Sequence, residues 1–512
     1  MTAFVLVSGM FTGTHVWQET AARLTAAGAE VHPVALTGTE GPRTAPTSGI
    51  DLETHIADVL AVIDSVGTAT DRKIVLVGHD YGIHPALGAA DRRAQRVDRI
   101  VYLDSGMPRD GAPALAAVPD QSLRARLAGA GGHQGAGEVL PPPTGHDEWR
   151  LWGSTEGVSG TALDRLTALA APQPLGTLLQ PLRLTGAVHA VPTTGVLCTE
   201  NGASIETVQM LVGFGDPALQ ALTDPRVTFF ELPTGHWPML SRPAQLADVL
   251  LRAAAGEGHR LVPADAAAPP AHLRPFLLDV PEAPRERHGR VDLHLPDADE
   301  PRPALLFVHG GPVPADARPT PRDWPTLTGY ARCAAAGGAV GAVVDHRLHD
   351  LADFERAAAD VAAAVESVRA DPRVDGDRIA LWFFSGGGLI AADWLAAPPA
   401  WLRCLAVTYP VLVPLPNWGL SGTRFHPARA VADAGALPVV LTRVGLEMPE
   451  IAATVEEFLA AAEDRGADVE VIDVPHGHHS FETVDRTDES RKAVQRAMRS
   501  VLDRVAARRD TP

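Results

Sequence analysis

Ser385 stands where an apolar run meets a glycine-rich turn, Trp382-Phe383-Phe384-Ser385-Gly386-Gly387-Gly388. A sharp turn between a strand and a helix lifts a hydroxyl clear of the sheet. The amide N–H groups behind it then open a helix, where they can stabilise a developing oxyanion. A hydroxyl becomes a nucleophile only beside a base, and the base needs a group that holds it in the right tautomer. Downstream, Gly477-His478-His479-Ser480-Phe481 follows an apolar run and suits a general base. Between the two, Gly445-Leu446-Glu447 ends another such run and offers an orienting carboxylate. Upstream, His309-Gly310-Gly311-Pro312 closes a further run with a turn that can aim backbone N–H groups at the same point. A serine that merely caps a helix explains one of these motifs but not four in order. The chemistry is acyl transfer.

A second constellation lies in the first half of the chain. Val77-Gly78-His79-Asp80-Tyr81-Gly82 has the same apolar-run-to-turn form, but aspartate holds the nucleophile position. Late in this half, Leu232-Pro233-Thr234-Gly235-His236-Trp237-Pro238 places His236 as a base. The turn Ser8-Gly9-Met10-Phe11 ends the first apolar run, so Gly9, Met10 and the amide of Tyr81 are expected around the reacting centre. A carboxylate attacking an ester carbonyl yields an anhydride, which gains nothing. Attack on an sp³ carbon yields an alkyl ester that water activated by His236 can cleave. Asp80 and His236 can also act as an acid/base couple for elimination, cyclisation or C–C cleavage. A third alternative is a silent site whose half of the chain serves as a scaffold.

These residues need strand ends to carry them. The pattern predicts strands over 4–8, 73–78, 99–103, 195–199 and 227–231, with helices over 18–27, 82–94 and 243–255. It predicts a second set of strands over 304–308, 338–344, 379–383, 405–409, 438–443 and 468–474, with helices over 352–369, 451–465 and 490–507. Continuous apolar strands alternating with helices imply an α/β fold, a parallel-rich sheet covered on both faces. Between 111 and about 192 the alternation stops and a Gly/Pro-rich helical stretch intervenes, which is expected to form a cap. Residues 257–275 are rich in Pro, Ala and Gly without periodicity and read as a linker. The organisation expected is therefore a domain over 1–256, a linker over 257–275 and a second domain over 276–512.

From about Pro303 to Val505 the motifs resemble dienelactone hydrolases and prolyl-oligopeptidase-like esterases of the α/β-hydrolase superfamily. The resemblance implies Ser385 as nucleophile, Glu447 as acid and His479 as base, with Gly310, Gly311 and Gly386 around the oxyanion. His479 is preferred over His478 because the family places the base two residues before the phenylalanine. Phe383 departs from the pattern, which has glycine two residues before the nucleophile. Residues 2–255 resemble the compact hydroxynitrile-lyase and esterase-like members, through Thr14-His15-Val16-Trp17, Tyr102-Leu103-Asp104 and the run from Gly235 to Pro243. Their aspartate elbow is similar to that of haloalkane dehalogenases and epoxide hydrolases. Three residues compete to be the orienting acid: the lyase-like members place it near Cys198-Thr199-Glu200-Asn201, with Asn201 in the aspartate slot and Glu200 beside it, whereas haloalkane dehalogenases place it after the strand following the elbow, where Asp104 stands. Epoxide hydrolases need cap tyrosines, and none of Tyr81, Tyr102, Tyr330 and Tyr409 lies in the cap. A dehalogenase needs N–H donors facing the halide, and His146, Trp149 and Trp152 are candidates, although they fit a packed helix face equally well. The resemblance implies two tandem α/β-hydrolase domains acting on small molecules, in a role that suits secondary metabolism.

The 512 residues exceed what one core of roughly 250–300 residues supports. A net charge of −18 argues against nucleic acid or anionic lipid as partner. No apolar run is long enough to span a membrane. The N-terminus lacks the features of a signal peptide. Cys198, Cys333 and Cys404 are scattered without metal spacing, which suits a reducing cytoplasm. No dinucleotide fingerprint or metal cluster is present, so neither cofactor nor metal is expected.

Overall fold

The computed structural model of the chain describes residues 2–40, 49–66, 73–120, 123–124, 126–127, 138–213, 217–263, 269–415, 418–420 and 424–507. They fall into two compact units, Met1–Pro263 and Ala264–Pro512.

In the first unit, Phe4, Val5, Leu6 and Val7 are all at 0% exposure, as a strand flanked by helices on both faces must be. The strands are β1 (Thr2–Val7), β2 (Glu30–Pro33), β3 (Lys73–His79), β4 (Val97–Leu103), β5 (Val139–Leu140), β6 (Gln173–Pro174), β7 (Thr193–Cys198) and β8 (Val227–Leu232). Six form one parallel sheet in the order β2-β1-β3-β4-β7-β8. Helix Leu52–Ser65 begins at Asp51, whose carboxylate accepts the Thr54 N–H at 2.9 Å, and it buries Leu52, Ile56, Val59 and Ile63. The chain runs from β1 out to β2 and returns past it to β3. The loops leaving β1 and β3 therefore diverge, and they open the crevice where open α/β sheets bind ligands. The residues between β4 and β7 hold the small antiparallel β5–β6 pair and helices His146–Trp149, Gly160–Leu169 and Leu175–Leu179. Within the expected cap, residues 121–122, 125 and 128–137 lie outside the described ones.

The second unit has β9 (Arg285–His288), β10 (Val291–His294), β11 (Arg302–Val308), β12 (Val340–Val344), β13 (Val374–Phe384), β14 (Leu402–Thr408), β15 (Val439–Leu446) and β16 (Val469–His478). They form one sheet in the order β16-β15-β14-β13-β11-β12-β10-β9. Only the β9–β10 and β10–β12 pairs are antiparallel. The crevice again opens between neighbouring strands with diverging exits, here β11 and β13.

The β9–β10 hairpin has no counterpart in the expected strands. All four residues of β9 are exposed, and β10 alternates apolar and polar residues over only four positions, all of them buried, so neither stands out as a strand. Arg285, Arg287 and Arg322 surround the Asp292 carboxylate and make its burial tolerable. Helix Pro325–Ala336 was likewise not signalled. The described ends of 257–275 are not free chain. His259 exchanges backbone hydrogen bonds of 2.9 and 2.8 Å with Phe229. Arg274 reaches the Thr483 carbonyl at 3.4 Å. Residues 264–268 of that stretch lie outside the described ones. Among the described residues, no helix is long and apolar enough to cross a membrane.

The turn after β3 tolerates no side chain at Gly82, where a Cβ would meet the Ser8 carbonyl oxygen at 2.4 Å and that of Val7 at 2.7 Å. Overpacking against backbone that cannot yield costs about 1–3 kcal/mol. Gly82→Ala is therefore expected to lower the calorimetric melting of the first unit by several degrees while leaving the second unit's transition in place. An unshifted transition would contradict this packing.

Candidate active sites

Ser385 follows β13 with φ of 51°, a left-handed backbone that lifts its side chain off the sheet. Its Oγ lies 2.7 Å from His479 Nε2. His479 Nδ1 lies 2.8 Å from Oε2 and 3.0 Å from Oε1 of Glu447, which follows β15. With Nδ1–H donating to the carboxylate, Nε2 is left to accept the serine proton. Gly310 packs so closely that a Cβ on it would stand 2.8 Å from Ser385 Cβ, and one on Gly386 would stand 2.6 Å from the Gly311 carbonyl oxygen. These three glycines thus enclose the serine. The Trp418 ring forms a further wall, 3.6 Å from that Gly386 position. His478 turns away, binding Asp485 through its backbone N–H at 2.6 Å and its ring at 3.0 Å. The ring of Tyr409 packs against His479 with centroids 4.7 Å apart.

Asp80 follows β3 with φ of 49° and keeps part of its surface open. Its Oδ2 accepts the Met10 N–H at 3.0 Å. Gly9 permits this approach, since a Cβ there would stand 2.8 Å from that oxygen. His236 Nδ1 lies 2.6 Å from Asp104 Oδ2. Asp104 also accepts the Cys198 N–H at 3.1 Å and the Asn201 amide at 2.8 Å. Its own φ is 46°, a strained setting for a non-glycine residue that the surrounding hydrogen bonds hold in place. Of the three competing acids, Asp104 is the carboxylate in contact with the base, while the Asn201 amide lies 3.4 Å from the same His236 Nδ1. Asn201 braces it, and Glu200 is exposed. His79 fastens the base from below, donating from Nε2 to the His236 carbonyl at 2.8 Å.

Two residues expected to face a substrate do not. The Tyr81 side chain is fully buried and its hydroxyl meets His55 Nδ1 at 2.8 Å, so only its backbone N–H is directed at Asp80. Trp149 is fully buried, and its indole N–H is spent on Thr167 Oγ1 at 2.9 Å. It acts as packing, edge-on to Phe11 and Trp237. His146 pairs with Asp164 at 2.9 Å, and Trp152 lies edge-on to Phe11 at 4.7 Å. What the sequence did not signal is the loop that closes over His236. A Cβ on Gly153 would meet His236 Cβ at 2.6 Å. The Ser154 carbonyl accepts the His236 N–H at 2.7 Å, and its N–H donates to Asn201 Oδ1 at 2.8 Å.

The model of the alpha/beta hydrolase family matches residues 4–249. The carbendazim hydrolyzing esterase of Nocardioides sp. (strain SG-4G) is 30% identical over 264 residues, which span 49% of this chain and 98% of that protein. The chain belongs to the α/β-hydrolase family. Among solved structures it is similar to a methylesterase from Arabidopsis, at 19% identity over 50% of this chain and 99% of that one, with a TM-score of 0.37. It is also similar to a thermophilic carboxylesterase from a metagenomic library, at 20% identity over 45% and 92%, with a TM-score of 0.36.

In this α/β-hydrolase the electrostatics of the first site are set by burial against paired charge. Burial raises the Asp80 pKa, and the nearby Asp104 adds to this. His236 and the Met10 and Tyr81 N–H groups oppose the shift but do not cancel it. Burial disfavours the His236 cation, yet the Asp104 hydrogen bond and the charges of Asp104 and Asp80 overcome it and raise its pKa. Burial and the adjacent His236 hold His79 well below the usual range, so it stays neutral. A histidine whose folded pKa exceeds its unfolded value of about 6.5 contributes stability that is complete below that pH. The contribution fades as the pH rises through the folded value. Asp104→Asn is expected to move the His236 titration, followed by NMR, from above to below about 6.5, since burial then acts with little opposition. The mutant should also lose the fall in stability that the wild type shows on the alkaline side. An unmoved titration would place the controlling charge elsewhere.

Proposed function

We propose that the chain is a carboxylic-ester hydrolase whose acyl transfer runs at Ser385. The observation that carries this reading is the continuous Ser385–His479–Glu447 relay, with contacts of 2.7 and 2.8 Å. In the reaction, Ser385 Oγ attacks the ester or lactone carbonyl while its proton passes to His479 Nε2. The imidazolium is stabilised by Glu447 and then delivers that proton to the departing alkoxide. Water, deprotonated by the same nitrogen, releases the acid. The esterase relative supports an acyl substrate of this kind, and the second unit is then a second α/β-hydrolase domain.

The first unit carries out a different substitution in this reading. A serine must touch its base to lose a proton, whereas a carboxylate is already a nucleophile and needs only to be held. Asp80 is held through Oδ2 by the Met10 N–H, which leaves Oδ1 to attack an sp³ carbon and expel its leaving group. Water activated by His236 then attacks Asp80 Cγ, and the negative charge develops on the oxygen that Met10 already binds. With no tyrosine between 111 and 192, a leaving group that departs as an anion fits better than one that must be protonated.

Ser385→Ala is expected to abolish hydrolysis of small activated esters and labelling by a fluorophosphonate, a loss of about 10⁴–10⁶ in rate. Asp80→Ala should leave both nearly intact, and equal losses in two folded mutants would overturn the division of labour. For Asp80 the decisive measurement is a single turnover of a reactive alkyl halide in ¹⁸O-water. Label should remain in the Asp80 peptide, and His236→Gln should trap the alkyl ester as a mass increase on it. Turnover without label on Asp80 would leave it an acid/base group.

A further inference from the structure

The second unit encloses a carboxylate that acyl transfer at Ser385 does not use. Glu482, in the short helix Phe481–Val484 just after the base, is at 0% exposure. Its Oε1 accepts the Tyr330 hydroxyl at 2.7 Å, and its Oε2 is shut in without a hydrogen-bond partner. A half-satisfied buried carboxyl is costly as a structural device, because the cost of dehydration is only partly recovered. Burial pushes its pKa up to about 7, against the opposing pull of Tyr330, Tyr409 and His479.

The groups around it form a short chain to the base. Tyr330 reaches in from helix Pro325–Ala336, whose Cys333 lies near enough to act on its phenol. Tyr409, at the end of β14, feels Glu482 directly and Glu447 more weakly, and burial together with these anions holds its phenol neutral. Its ring packs on His479 with centroids 4.7 Å apart, from a backbone φ of 37° that few non-glycine residues adopt. Of the cations on this turn, Arg274 is engaged with the Thr483 carbonyl at 3.4 Å and Arg486 with the Pro275 carbonyl at 2.5 Å. His479 therefore has one carboxylate in hydrogen-bond contact and a second behind the tyrosine that packs against its ring.

We propose that Glu482 is a positioning residue for the Ser385 reaction, supplying through Tyr409 a second negative charge that supports the His479 cation and is switched by its own proton. The proposal rests on the reading of Ser385 as an acyl-transfer nucleophile. When Ser385 attacks, its proton arrives on His479 and a cation appears in a dry turn. Ionised Glu482 offsets that charge from behind Tyr409, in addition to Glu447. Once Glu482 takes up a proton from solvent, the support is withdrawn and the transition state is less stable, although the relay itself stays intact.

The test uses the full chain as wild type, Glu482→Gln and Tyr409→Phe. Hydrolysis of p-nitrophenyl acetate and fluorophosphonate labelling are followed between about pH 5.5 and 9, with the His479 ring signal titrated by NMR. The wild-type kcat is expected to show an extra rise near pH 7. In Glu482→Gln that rise disappears, leaving kcat about 3- to 10-fold lower near pH 8.5, equal near pH 6, and KM unchanged. The His479 ring signal should report the ionisation of Glu482 as a chemical-shift step near pH 7 in the wild type that the glutamine variant lacks, and Tyr409→Phe should weaken both effects while keeping the carboxyl. A glutamine profile parallel to the wild type, or a wild-type His479 signal with one step only, overturns the proposal. If Glu482→Gln does not fold, the Tyr409→Phe profile decides, and one superimposable on the wild type is a refutation. A wild type that neither turns over nor labels refutes the acyl-transfer reading instead. The NMR steps then still report whether Glu482 and His479 are coupled.

Discussion

Both units are organised around one backbone constraint, an elbow residue held in the left-handed region between a parallel strand and the helix behind it. Asp80 and Ser385 take nearly the same φ, 49° and 51°, at a cost of roughly 1–2 kcal/mol for a residue with a Cβ. The surroundings must enforce it. In the first unit Gly82 lies against the carbonyls of Val7 and Ser8, and in the second Gly387 would bring a Cβ within 2.4 Å of the His309 carbonyl oxygen. Each elbow is thus pressed onto the end of the neighbouring strand. That strand's exit loop carries the residues that surround the nucleophile, Gly9 and Met10 in one unit and Gly310 and Gly311 in the other.

The two elbows accommodate this pressure differently. Gly78 is required because a Cβ there would stand 2.5 Å from the Ile83 Cα, where the helix folds straight back over the strand. At the corresponding place in the second unit, Phe383 is fully buried without conflict. The chain there leaves the elbow as a long 3₁₀ segment, Ser385–Ala391, before helix Ala392–Ala396 begins, whereas the 3₁₀ turn of the first unit covers only Asp80–Gly82. A 3₁₀ turn rises about 2.0 Å per residue against about 1.5 Å for an α-turn, so it carries the backbone clear of the strand sooner. A departure from the glycine pattern is thus compatible with an intact elbow geometry.

The strands that bear the chemistry were legible because their apolar runs end in glycine, and punctuation of that kind survives in a linear reading. The competition between Asp104 and Asn201 could not be resolved in the same way. They lie at the exits of β4 and β7, which are neighbours in the sheet, so both reach the same imidazole from widely separated positions. The presence of asparagine in one slot and aspartate in the other was the available signal that the acid had moved. The side-chain roles of Tyr81 and Trp149 were not legible for a related reason. Their polar atoms are claimed by His55 and Thr167, partners that no local window associates with them. The β9–β10 hairpin escaped because β9 is wholly exposed and the alternation of β10 spans only four residues, two of them polar groups buried beside Val291 and Leu293.

The difference between the two nucleophiles extends to how each base is kept ready. Serine is neutral before and after it is acylated, so acylation itself leaves the charge around His479 unchanged. Asp80 begins as an anion beside His236, and with Asp104 it favours the imidazolium, which cannot act as a base. On the covalent reading of Asp80 this disadvantage removes itself. Alkylation converts the carboxylate to a neutral ester, and one of the two anions holding the proton on His236 is lost just as a base is needed. Burial then favours the neutral imidazole more strongly, while Asp104, pinned by Cys198 and Asn201, keeps Nδ1 as the donor and leaves Nε2 to accept a proton from water. The first chemical step thereby prepares the base for the second, and a buried histidine between two carboxylates suits a two-step substitution better than a permanent acid/base couple.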